Sequence, residues 1–303
     1  MADVKIFPPM SEREIKGAEI SRYAAAEGMV LLKNENAALP LASGSIVALF
    51  GNGAARTVRG GTGSGDPFNG GLSGGGDANI NLSPRYHINI LDAMEEEYTV
   101  VSGELLREYA VEYDRARDAQ KDHVMSVFAF PEQKLTEEMV AGYREQTGTA
   151  VFVISRNSGE GNDRAMTQQA TIDGETKEIG DYRLAATEKE NLKLLRKIFD
   201  KLILVLNVAG PVSVEDLSQS GADAVLLMGQ AGQEGGRAVV DILTGRVTPS
   251  GKLTATWAEK YEDYPTSDVF LKDPIQAPYP EGIYVGYRYF DTFDKQPGYP
   301  FGY

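Results

Sequence analysis

Short apolar runs of four to six residues alternate along this chain with longer stretches in which apolar side chains return every three or four positions. That alternation is the pattern of α/β folds, in which strands feed helices that pack back on the sheet. The runs predict strands at residues 29–32, 46–50, 150–155, 202–206, 224–228 and 253–257. Three of them, 46–50, 202–206 and 224–228, are apolar throughout, as expected of strands covered by helices on both faces. Between them, helices are predicted at 11–26, 89–97, 103–121, 136–146, 188–200 and 232–243. The helix at 188–200 has Leu192, Leu195, Ile198 and Phe199 on one face, and Thr187 with Glu190 reads as its capping box. Gly245 stops the helix at 232–243. The predicted fold class is α/β, a three-layer sandwich with a mostly parallel sheet and helices on both faces.

Two segments break the rhythm. Residues 60–76 contain nine glycines, too many for a helix or a strand, and read as a long loop after the strand at 46–50. Residues 264–303 are rich in proline and aromatics without helical periodicity, and are expected to wrap the domain in extended form. No internal repeat or linker is visible. The chain therefore reads as one domain over 1–303, with a leading helical segment at 1–26 and the wrapping tail at 264–303.

Composition narrows the function. The formal net charge of -14 repels phosphate backbones, and no Lys/Arg cluster offsets it, so nucleic acid is not an expected partner. No apolar run approaches a membrane span, and the amino terminus lacks a secretory signal, so the expected location is cytoplasmic and no membrane partner is expected. The absence of cysteine removes disulfides, thiolate ligands and thiol nucleophiles. His87 and His123 are the only histidines, too few for a His-rich metal site, and no Gly-x-Ser-x-Gly elbow stands ready for a triad. Gly51-Asn52-Gly53-Ala54-Ala55-Arg56 begins like a dinucleotide fingerprint, but Arg56 replaces the third glycine and no following helix is predicted to receive a pyrophosphate. Gly251-Lys252 lacks the spacing and the hydroxyl of a P-loop. No metal or organic cofactor is expected. Chemistry in this chain falls to carboxylates.

The segment 156–164, Arg-Asn-Ser-Gly-Glu-Gly-Asn-Asp-Arg, follows the strand at 150–155. It sets Glu160 between glycines at the carboxyl edge of the predicted sheet, where open α/β sheets bind ligands. A glutamate between glycines is also an ordinary solvated loop residue. A carboxylic acid in such a place can protonate a leaving oxygen if burial raises its pKa. Cleavage of a glycosidic bond normally needs a second carboxylate, about 5–5.5 Å away in retaining enzymes. Asp163, Asp181 or a residue outside the chain are the alternatives, and spacing does not choose among them.

Several motifs, taken together, resemble glycoside hydrolase family 3. Glu27-Gly-Met-Val-Leu-Leu-Lys-Asn34 with Ala38-Leu-Pro-Leu41 resembles the opening of its α/β sandwich domain. Gly60-Gly-Thr-Gly-Ser-Gly65 resembles its glycine loop, and Ser158-Gly-Glu-Gly161 the motif that carries its acid/base. Gly180-Asp181, Gly210-Pro211, the glycine-bracketed stretch at 229–236 and Pro249-Ser-Gly-Lys-Leu253 follow in the family's order. Glu281-Gly-Ile-Tyr-Val-Gly-Tyr-Arg-Tyr-Phe290 and Pro300-Phe-Gly-Tyr303 complete the resemblance, which runs from about Lys16 to Tyr303.

The resemblance implies part of a retaining β-glycosidase, most commonly a β-glucosidase acting on terminal non-reducing β-D-glucosyl residues. It makes Glu160 the general acid/base and Ser64 a contact to the sugar at the cleavage point. Arg156, Asp163 and Arg164 then orient the acid/base or the substrate, unless they serve only as loop-anchoring ion pairs. In the family the nucleophilic aspartate lies in a separate (β/α)8 barrel, within a Ser-Asp-Trp-like motif. Trp257 is the single tryptophan here and has no such motif around it, so the nucleophile is expected from a barrel in cis or from a second chain. Opening at Met1 with this domain fits relatives of inverted domain order, and stopping at Tyr303 implies a truncated or cleaved polypeptide. The insertion-like stretch 67–83 lengthens the glycine loop. The expected partners are a β-glucoside or oligosaccharide, the barrel, and a second copy of the chain. A rival reading is a non-catalytic binding module that presents Tyr279, Tyr284 and Tyr287 to a sugar or a protein.

Overall fold

The structure, a computed structural model, describes residues 8–61, 86–119, 128–159, 163–273 and 275–303. Its main sheet has six strands in the order β1-β8-β7-β4-β2-β3: β1 (Val30–Asn34), β2 (Ile46–Phe50), β3 (Thr99–Val100), β4 (Thr149–Ser155), β7 (Lys201–Asn207) and β8 (Ala224–Leu227). All pairings are parallel except that of β1 with β8. β4 and β7 pair along their full length, from Thr149 opposite Lys201 to Ser155 opposite Asn207.

Alternation along these strands splits the core in two. Val47, Leu49, Val151, Val153, Ile203, Val205 and Leu226 face one layer, which contains residues of α1 (Glu12–Gly28), α3 (Ile90–Glu97) and α8 (Gly235–Leu243). Ala48, Phe50, Phe152, Ile154, Leu204, Leu206 and Val225 face the other, with α5 (Glu137–Arg144), α6 (Ala186–Ile198) and α7 (Val214–Gln219). This is why the central runs are apolar at every position. The fold class read from the sequence is the observed one, a mostly parallel sheet between two helical layers.

Four local expectations change. Residues 253–257 do not join the main sheet. Only β9 (Trp257–Ala258) is a strand, paired with β10 (Pro297–Tyr299) in a separate ribbon where Trp257 meets Tyr299 edge-on at 6.0 Å. The helix expected at 188–200 begins two residues earlier. Its N-cap is Ala185, whose backbone N–H donates to Glu188 Oε2 at 2.8 Å, so Glu188 holds the place assigned to Glu190. A single turn, α2 (Asn52–Ala55), stands where no helix was expected. The tail at 264–303 is not extended throughout: it turns, forms α9 (Tyr287–Thr292), and returns through β10 until the Tyr303 hydroxyl donates to the Leu32 carbonyl.

One element was not foreseen. β5 (Thr167–Ile172) and β6 (Glu175–Gly180) form a hairpin whose turn residues Asp173 and Gly174 have φ of 52° and 82°. Positive φ at both positions is the requirement of a type I′ turn, which Asp-Gly meets at low cost. The remaining helix, α4 (Gly103–Ala119), supports this hairpin: Tyr109 and Ala116 pack with Phe130, and Ile172 rests against them.

Candidate active site at the carboxyl edge

Because β2, β4, β7 and β8 are parallel, their carboxyl ends open on one side of the molecule. Asn207, the last residue of β7 and fully buried, joins them. Its Oδ1 accepts from Val58 N at 2.7 Å and from Ser155 Oγ at 2.8 Å, and its Nδ2 donates to the Val58 and Gly229 carbonyls, each at 2.8 Å. One amide thus ties the end of β4, the turn after β8 and the root of the glycine loop to the sheet. That root comes close to the segment after β4, since a Cβ built on Gly61 would lie 3.2 Å from the Ser158 carbonyl and 3.9 Å from Gly159 Cα.

Ser64 and Glu160 lie outside the described residues, and the structure gives their flanks. Arg156 is buried, and four of its five N–H groups donate to described residues. Nη1 and Nη2 donate to the two oxygens of Glu188 at 2.8 and 2.7 Å, Nη1 donates to the Ser155 carbonyl, and Nε to the Asp181 carbonyl at 3.0 Å. Arg164 donates through Nε to Asp181 Oδ1 at 2.6 Å and through Nη1 to the Pro211 carbonyl at 2.6 Å. Both arginines therefore anchor the loop, one at each end. Asp163 is exposed beside them.

The anchor common to both is the base of the hairpin. Asp181 is 1% exposed, and its Oδ2 also accepts from Ala165 N at 2.6 Å and from Gln168 Nε2 at 2.9 Å. A carboxylate so enclosed and so fully bonded cannot attack a sugar carbon, which removes Asp181 as the second carboxylate. Gly180 is required before it: a side chain there would strike both Arg156 Nη2 and Glu188 Oε2.

Sequence reasoning missed a further acid. Glu132 faces a small cavity of about 50 Å³ shared with Asn52, Ser155, Arg156, Asn157 and Glu188. Its Oε2 accepts from Asn52 N at 3.0 Å and its Oε1 from Gln133 N at 3.1 Å. The amino end of α2 is therefore filled by this chain's own carboxyl, not by a phosphate. Burial pushes the Glu132 carboxyl up to about 8, reinforced by the Glu188 charge and opposed by the two amides and Arg156. Nothing in the local sequence marks Glu132, because apart from the neighbouring Gln133 amide the groups around it are distant in sequence: Asn52 at the start of α2, Arg156 just after β4 and Glu188 in α6. Arg164 also borders an open hollow of about 330 Å³ walled by Tyr182, Pro211, Tyr261, Tyr264 and Phe270. Tyr279, Tyr284 and Tyr287 are surface residues, 80%, 38% and 46% exposed, and not part of the core. Among the described residues, no group of three His, Asp or Glu side chains converges as a metal site.

Comparison with known proteins places this architecture. The glycosyl hydrolase family 3 C-terminal domain profile matches residues 29–287. Beta-glucosidase A of Butyrivibrio fibrisolvens is 34% identical over 95% of this chain and 34% of its own length. Beta-glucosidase of Ruminococcus albus is 31% identical over 95% of the chain and 27% of its own length. Among solved structures, beta-glucosidase 3B from Thermotoga neapolitana in complex with glucose superposes with a TM-score of 0.78 at 37% identity, covering 95% of this chain and 38% of that one. A beta-glucosidase from Paenibacillus barengoltzii gives 0.78 at 35% identity, over 98% and 30%. The chain spans about a third of the length of these relatives. It belongs to glycosyl hydrolase family 3 and carries that family's C-terminal α/β domain.

Proposed function

We propose that residues 1–303 form a single α/β sandwich domain that supplies the general acid/base of a retaining β-glucosidase, and that Glu160 is this residue. In the first step Glu160 donates a proton to the glycosidic oxygen as the bond to the anomeric carbon breaks. In the second, as a carboxylate, it takes a proton from the water that resolves the glycosyl-enzyme. The nucleophile comes from a (β/α)8 barrel, in the same polypeptide or in a second chain, facing the carboxyl edge. Ser64, on the loop whose root lies against Ser158, contacts the sugar. Asp163 orients the substrate or the acid, and Arg156 and Arg164 hold the loop in place.

The observation that carries this reading is the loop itself. A glycine-flanked glutamate leaves a parallel sheet at its carboxyl edge, between two arginines each bound to a buried carboxylate. The test is Glu160→Gln in the complete enzyme, assayed on aryl β-glucosides of graded leaving-group pKa. Loss of about 10²–10⁴-fold is expected for poor leaving groups and little for dinitrophenyl glucoside, which departs without a proton. Equal loss for both kinds of substrate refutes the acid role.

A further inference from the structure

We infer that Asp181 is a positioning residue for this reaction: among the described residues it alone bonds both arginines that bracket the acid/base, and so fixes the two anchors on either side of it. The inference rests on the reading of Glu160 as acid/base. Its structural ground is independent of that residue. The Asp181 carbonyl accepts from Arg156 Nε, and its carboxylate from Arg164 Nε, Ala165 N and Gln168 Nε2. The backbone of Asp181 is itself fixed by the end of β6 and by its N–H donating to the Arg183 carbonyl at 2.9 Å.

Aspartate is the side chain this arrangement needs. Three donors reach two oxygens on a stem of one methylene group, 1% exposed. Asparagine is the same size but turns an NH₂ toward donors, and glutamate would push Arg164 and Ala165 outward. Arg164 also donates to the Pro211 carbonyl, so movement of Asp181 would loosen Arg164 from the segment between β7 and α7 as well. A merely structural ion pair would affect all substrates alike. A residue that places a proton donor affects only those substrates whose leaving group needs the proton, and misplacement by about 1 Å can cost about 10²-fold.

The complete β-glucosidase with Asp181→Asn is therefore compared with Glu160→Gln on the same leaving-group series, with the pH dependence of kcat/KM. Asp181→Asn is expected to lower kcat/KM about 10²-fold for phenyl and alkyl glucosides and less than about 3-fold for dinitrophenyl glucoside, with a displaced basic limb in the pH profile. If the single variant does not fold, Asp181→Asn/Arg164→Gln removes both charges together, leaves no unpaired buried ion, and is expected to show the same selectivity. Uniform loss across leaving groups, or no loss, while Glu160→Gln retains its leaving-group dependence, overturns this inference alone. Absence of that dependence in Glu160→Gln overturns the acid/base reading and this inference with it.

Discussion

Glu132 offers the sharpest stability test, because it carries a proton that the unfolded chain gives up. Its carboxyl has an ordinary value of 4.5 and stands near 8 in the fold, chiefly because burial disfavours the charge. At about 1.4 kcal/mol per pH unit, that interval corresponds to about 5 kcal/mol. The residue keeps some exposure at its edge, so water returns part of the penalty, and about 2–3 kcal/mol is the working figure. A folded pKa above the unfolded one means that the contribution is full below pH 4.5 and is lost progressively until the pH passes 8. Glu132→Gln removes the titration. Glutamine has one acceptor oxygen where the carboxyl group presents two, so either Asn52 N or Gln133 N loses its partner, at about 1 kcal/mol. The variant should therefore be less stable than the parent by about 1 kcal/mol at pH 4.5 and more stable by about 1–2 kcal/mol at pH 8.5, with a crossing between. Urea melts of both proteins at half-unit pH steps measure the difference directly. A stability difference that stays flat from pH 4.5 to 8.5 would refute the argument, whatever its sign.

Asn207→Ala deletes four hydrogen bonds inside a fully buried site and should cost at least about 3 kcal/mol in chemical denaturation, through the stranded partners. Gly180→Ala forces a methyl group into the Arg156–Glu188 pair and should destabilise by about 2–4 kcal/mol, where Gly142→Ala, with open space around its Cβ, should not destabilise at all. Phe152→Ala, in a side chain with no exposure, should cost about 3–5 kcal/mol. Burial alone would raise the Asp241 carboxyl, but hydrogen bonds from Arg22 and Arg246 outweigh it and hold the group below its ordinary 3.8. Its stabilising contribution is present above that value and is lost as the pH falls further; Asp241→Asn should accordingly flatten the acid limb of a stability–pH curve.

What the sequence discloses and what it hides divide along physical lines. Strands β2, β7 and β8 could be read because burial on both faces demands apolar residues in unbroken order. The hairpin of β5 and β6 could have been found and was not. Its polar strands, Thr167-Gln-Gln-Ala-Thr-Ile172 and Glu175-Thr-Lys-Glu-Ile179, carry no core signal, but the Asp173-Gly174 turn between them was a sufficient mark. The true cap of α6 was displaced by two residues because the acid at 188 bonds a backbone amide three positions before it, and no side-chain hydroxyl is needed there. Partnerships at the site were beyond reach. Arg156 and Glu188 are 32 residues apart and Asn52 and Glu132 are 80 apart, so only the folded sheet brings them together. The motif at 156–164 follows β4 at its carboxyl end, as the apolar run at 150–155 predicts, but nothing in it marks Asn207 or Glu132, or the bonds that Asp181 makes to its two arginines.

That support has an energetic peculiarity. Buried ion pairs are poor sources of stability, because removing two charges from water costs nearly what their attraction returns. Yet the side chains of Arg156 and Glu188 are 6% and 5% exposed, and those of Arg164 and Asp181 are 17% and 1%, with both pairs at the ends of one loop. Apolar residues of equal volume would hold the layers together about as well, but they would allow the loop to slide. A bidentate guanidinium–carboxylate pair fixes direction as well as distance, and the two pairs meet at Gly180 and Asp181. The second strand of the hairpin thus ends where both arginines are bound, Arg156 by the Asp181 carbonyl and Arg164 by its carboxylate. Two directional charge pairs therefore stand at this edge of the sheet, where packing alone would favour hydrocarbon.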